Sequence, residues 1–215
     1  MGLLGFFNRK PSISDLPALA DFLDSRAAFQ VQKCLYEYVR ARSGLLSQKL
    51  FKEEAFKAAM EIGRWRNYPL CLQHVSVMVE HTLRSAAGVE AGAMREGVIL
   101  AASEVCRRYP VPAGFEATFW DEARERVERR VRQAGLAAPH AVKDLPQETA
   151  REFAANMPVH ADVRAFDFEL VTNNLRLNLC RAHEDFLAAA DVRELTRSLI
   201  LAGERAVPDT AGAPN

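Results

Sequence analysis

The chain predicts an all-α protein, a compact bundle of about seven to eight helices. Three observations carry that expectation. Alanine occurs 34 times against four isoleucines, a balance that favours helix over strand. Apolar residues recur at spacings of three and four almost throughout, the period that builds one helix face. Sustained apolar–polar alternation and Asn-Gly or Asp-Gly hairpin turns are missing from the sequence.

Taken in order, the first helix should follow Ser14, whose hydroxyl can cap free amides, with Pro17 tolerated in the first turn. Leu19, Phe22, Leu23, Ala27, Val31, Leu35 and Tyr38 form its apolar side, with a break expected near Ser25. Gly44 punctuates. A second helix, LLSQKLFKEEAFKAAMEIGRWR, carries Leu46, Leu50, Ala55 or Phe56, and Met60. Pro69 should start a third, PLCLQHVSVMVEHTLRSA, apolar almost all round and therefore central. A fourth, AGAMREGVILAASEVCRRY, runs to the double-proline turn PVPAG. The charge-dense FEATFWDEARERVERRVRQA reads as an amphipathic helix with a solvated face. GLAAPHAVKDLP is the longest loop, with a hinge expected near 134–146. QETAREFAANM predicts a short helix, Asp162 to Ala190 a long one, and DVRELTRSLILAGERAV the last. One helical domain therefore spans 11–207. An apolar-basic segment (1–10) precedes it, and a tail (208–215) of small, polar and proline residues, expected to be disordered, follows it.

Charge and cysteine content narrow the function. With 28 basic and 28 acidic residues interspersed, the chain lacks the clustered cations that phosphate contacts need, so no nucleic-acid partner is expected. Cys34, Cys71, Cys106 and Cys180 lie far apart and read as reduced cytoplasmic thiols. The longest stretch without Asp, Glu, Lys or Arg is Asn67–Val79, short of the ~18 residues that cross a bilayer. Catalytic signatures are missing too: no Glu-x-x-His, His-Glu-x-x-His, phosphate-binding glycine loop or nucleophile elbow occurs.

Four features remain as candidates. Cys71 with His74, and Cys180 with His183, sit three apart on predicted helices and could together offer a Cys2His2 metal site. Buried thiols acting as small hydrophobes are the commoner use. Arg64, Trp65 and Arg66 flank a helix junction, with His74 and His81 downstream; such residues can line an interhelical anion or ligand pocket, or simply pack. Asn174, Asn178, Arg181 and Asp185 share a stripe expected at the surface. Leu3, Leu4, Phe6 and Phe7 bordered by Arg9 and Lys10 form an apolar wedge with a cationic edge, suited to an anionic membrane interface or a partner protein.

The stretches ALADFLDSRAAFQVQKCLYEYVRARSG and RWRNYPLCLQHVSVMVEHTLR, with the apolar-basic start, resemble a group of uncharacterised all-helical bacterial proteins, some of which carry the label esterase. The resemblance implies a helical fold. It carries over no catalytic residue, because Ser76 and His74, two apart on one helix, diverge. The expectation is a non-enzymatic helical adaptor or assembly protein. It would be cytoplasmic and peripheral to the inner membrane through its N-terminus, would need no cofactor, and would engage another protein or an anionic surface. The alternative is a small-molecule or lipid binder, or an enzyme, with a pocket near Arg64, Trp65, His74 and His81.

Overall fold

The computed structural model describes residues 12–206; the apolar-basic segment 1–10 and the tail 208–215 lie outside the described residues. The fold is an all-α bundle, as the alanine content and helical periodicity predict. Its helices are α1 (Leu16–Val31), α2 (Tyr38–Ser43), α3 (Ser47–Leu50), α4 (Glu54–Ala87), α5 (Ala91–Arg107), α6 (Phe119–Ala134), α7 (Ala150–Ala155), α8 (Ala161–Phe166), α9 (Phe168–Ala189) and α10 (Val192–Ala206).

Local chemistry explains where several boundaries fall. Asp15, rather than Ser14, caps α1: its Oδ1 accepts from the amide of Ala18 at 2.9 Å, satisfying one free donor of the first turn. The helix does not break at Ser25, whose hydroxyl bonds back to the carbonyl of Phe22 at 3.1 Å. It loosens later, through a π-turn at Gln32–Glu37 that joins α1 to α2. Gly44 and Gly88 end α2 and α4 with φ of 51° and 55°, where side-chain-bearing residues are strained.

Pro69 does not start a helix; α4 passes through it for 34 residues. A proline inside a helix removes one hydrogen bond, at about 3 kcal/mol. Here that loss is outweighed because Asn67–Val79 and most residues to Leu83 are buried, and the surrounding helices fix the path of α4. The central placement expected of this stretch holds.

Around α4 pack α1, α5, α6 and α9, with α10 clamped across α5. That crossing is very close. A Cβ on Gly203 would lie 1.9 Å from the Ala93 carbonyl oxygen, and one on Gly97 2.3 Å from that of Leu199, so only hydrogen fits at either position. The start of the described chain is tied down as well: Ile13 donates to the Ala189 carbonyl at 3.0 Å and accepts from Asp191 at 3.1 Å.

Candidate functional site

The polar residues of α4 form a seam, not a pocket. Asn67, His74 and His81 are spaced by seven, nearly two full turns, so they share a face. Along that face runs the segment 135–156, antiparallel to the helix. At its far end the Asn67 amide donates to the Phe153 carbonyl at 3.3 Å and its oxygen accepts from Asn156 at 3.0 Å. Nearby, a Cβ on Gly63 would lie 2.8 Å from the Asn156 carbonyl oxygen. Midway, His74 Nε2 meets Thr149 Oγ1 at 2.5 Å. The Thr149 hydroxyl donates to the Pro146 carbonyl, so it accepts from the imidazole N–H. His74 Nδ1 is left buried without a partner. Burial, helped by the charge of Arg130, holds the His74 pKa down to about 3, so the ring is neutral. At the near end His81 faces His140, ring centroids 6.3 Å apart. Both of its ring nitrogens are buried without hydrogen-bond partners; Nε2 is 3.9 Å from a Glu80 carboxylate oxygen, beyond hydrogen-bond reach. Burial lowers the His81 pKa more than Glu80 raises it.

Glu80 itself is fully buried and holds two cations. Arg84 bonds it at 2.5 and 3.1 Å and Arg95 at 3.0 Å. Arg84 also reaches the carbonyls of Ala134 and Ala137, at 2.7 and 2.5 Å. The ion cluster thus closes the α6 end of the strap onto α4 and α5. The residues offered by sequence as a hinge lie within this strap, and Leu145 is in the core.

The tryptophan and its two arginines separate. Trp65 packs edgewise among Tyr68, Tyr109 and Trp120, at centroid distances of 5.5 to 5.9 Å. Asp24 accepts from the Tyr68 and Tyr109 hydroxyls at 2.6 and 2.7 Å. Arg64 lies over the Trp65 ring at 4.6 Å and pairs with Glu61 at 3.3 Å, beside an open groove lined by Phe29 and Tyr36. Arg66 points elsewhere, into a groove of about 460 Å³ with Phe115, Phe119, Arg126 and Arg129. That groove also holds Glu122, Glu125 and Glu152, and Arg126 already pairs with Glu152 at 2.5 Å. Arg64, Trp65, Arg66, His74 and His81 therefore do not converge on one concavity.

The Cys2His2 arrangement does not assemble: among the described residues no group of three or more His, Cys, Asp or Glu is placed to hold a metal. Cys71 is buried in the core while Cys180 is partly open, and His74 is engaged with Thr149. The polar stripe of α9 divides as well. Asn178 is buried, donating to the Asn174 carbonyl at 2.8 Å and to Cys34 Sγ at 3.6 Å, whereas Asp185 pairs at the surface with Arg26 at 2.6 Å.

Sequence reasoning missed the outward side of α8 and α9. Facing the core, α9 buries Val171, Leu175, Asn178, Ala182 and Phe186. On the opposite side the pair of helices exposes Val163, Phe166, Leu170, Leu177 and Leu187, with Phe166 84 % exposed. Their spacings of three, four, seven and ten match the inner seam of a coiled coil, with Asn173, Cys180 and Glu184 at the intervening seam positions. The two helices differ by little more than a notch at Asp167, where the four-residue bonds Asp167 to Val163 and Val171 to Asp167 persist. Asp167 is pulled toward α2: it accepts from Tyr38 at 2.6 Å and forms a bidentate pair with Arg42. Those Arg42 bonds hold its carboxyl below the usual range. Writing residues 161–189 in sevens would have revealed the second stripe. It was obscured because the inward stripe already accounted for the helix.

No family model, curated protein or solved structure matches the chain. None of the described helices is long and apolar enough to cross a membrane.

Proposed function

We propose that this protein is a non-enzymatic helical adaptor of the assembly type, which binds a helical segment of another protein chain along the outward ridge of α8 and α9. The supporting observation is the ridge itself: large apolar side chains at coiled-coil spacing on the solvent side of a helix already anchored by a complete inner face. Exposed large apolar side chains in a row of this kind suit the docking of an amphipathic helix. The buried ionisable groups fit the same reading, because Glu80, His74 and Asp167 are all engaged in holding helices together. The wedge of Leu3, Leu4, Phe6, Phe7, Arg9 and Lys10 would bring the adaptor to the anionic inner face of the membrane, where cations sit among headgroups and aromatics below them.

A photo-crosslinking side chain placed at Leu177, with Glu125 on the exposed face of α6 as reference, tests the docking role in cells. The expected result is an adduct to one identifiable protein chain from position 177 and none from 125. Equal labelling, or none at either, overturns it. Deleting residues 1–10 should release the protein from the membrane fraction; unchanged fractionation removes the membrane part of the proposal.

A further inference from the structure

We infer that the α8–α9 ridge pairs with the same ridge of a second copy of this chain, antiparallel, with Leu170 of each facing Asn173 of the other. The inference rests on the reading of the ridge as a docking surface and names its occupant.

The charges beside the ridge select that occupant. One flank, read at seven-residue intervals, runs Asp162, Glu169, Arg176, His183: two acids, then an arginine and a histidine whose pKa burial lowers. In an antiparallel pair of coiled-coil helices this flank meets its own copy in reverse order. In the stated register Glu169 meets Arg176 of the second copy, Asp162 meets His183, and each contact occurs twice by two-fold symmetry. Sliding by one heptad either way sets Glu169 against Glu169 or Arg176 against Arg176. A parallel pair would bring Arg176 against Arg181. Of these four alignments only the stated one avoids a like-charge contact. The needed groups are available, since neither Glu169 nor Arg176 forms an ion pair among the described residues. Arg176 is steadied by Gln147 and Asn173, at 3.2 and 3.4 Å.

The seam residues agree with that register. Phe166 would pack on Leu177 of the second copy and Val163 on Cys180. Asn173 then faces Leu170 near the two-fold axis, at some loss of stability. The paired stretch, Val163 to Cys180, is about 26 Å long at 1.5 Å per residue, and Glu184 and Leu187 lie beyond it.

Sedimentation of the purified full-length protein tests pairing, and cysteine chemistry tests direction. A dimer that weakens with added salt is expected, because its flanking charges are solvent-facing. Glu169→Arg should weaken it by roughly tenfold or more, and the double exchange Glu169→Arg with Arg176→Glu should restore it. Cys34, Cys71 and Cys106 are buried, which leaves Cys180 as the reporter. Under mild oxidation the wild type should stay free of interchain disulfide, whereas Val163→Cys should link to Cys180 of the other copy. A wild-type Cys180–Cys180 disulfide would mean parallel pairing and overturn the inference. A monomer at all concentrations overturns it too. If Leu177 still crosslinks to another protein, the docking proposal survives that result; if it labels nothing, both fall.

Discussion

Two helices of this molecule invert the usual placement of side chains. The central helix α4 turns Asn67, His74, Glu80 and His81 into the interior; the peripheral helix α9, continued by α8, turns Phe166, Leu170, Leu177 and Leu187 outward. On α4 most of the polar groups meet partners on segment 135–156 or on α5, so their burial is compensated and they specify how the strap lies. On α9 nothing among the described residues covers the outer face. A buried polar group with a partner reports on architecture, while an exposed apolar row reports on what the molecule meets. The contrast also cautions against assigning chemistry from residue type alone, because the histidines and arginines that attract attention in the sequence are largely structural.

The sharpest way to break the comparison is at Glu80. Replacing it by Ala strands two arginines whose side chains are each only 16 % exposed, a change expected to cost about 3–5 kcal/mol. Urea unfolding should show it as a lower midpoint. A loss below 1 kcal/mol would show that the cluster is not a keystone of the interior.

The next test concerns pH. His74 stays neutral in the fold down to about 3, whereas the unfolded chain takes up its proton below about 6.5. The unfolded state therefore binds more protons between those values, and stability must fall as pH drops. Between about pH 7 and pH 5 the effect is roughly 2 kcal/mol. His74→Gln should show a correspondingly shallower decline in paired urea titrations; an identical slope in both proteins would contradict the buried placement.

The smallest effect belongs to the outer helix. Leu170→Asp and Leu177→Asp should change the unfolding free energy of the single chain by less than about 0.5 kcal/mol, measured with the protein dilute. A loss of several kcal/mol would mean that the ridge packs within its own chain.

Much of the architecture was legible in the sequence because helical periodicity and glycine punctuation are local signals. Gly44 marks a real boundary, and the inner face of α1 follows from spacing alone. Pro69 misled because a proline's local preference is weak against the burial of a whole helix. The site was less legible for a different reason. Whether His74 faces a pocket or Thr149 depends on how a strap 75 residues downstream is laid, and no local pattern encodes that. The ridge lay in plain view as a repeat of seven, but a helix with two apolar stripes reads as simply apolar.

The lie of that strap has a consequence for how the chain acquires its shape. Asn67 finds its backbone partner 86 residues further on, so α4 leaves the ribosome long before the groups that will cover its polar seam. Contacts of such long sequence separation close slowly. Until they close, the nascent helix presents amide, imidazole and carboxylate groups alongside its apolar ones, which keeps a sticky intermediate partly hydrated during the interval when aggregation competes with folding.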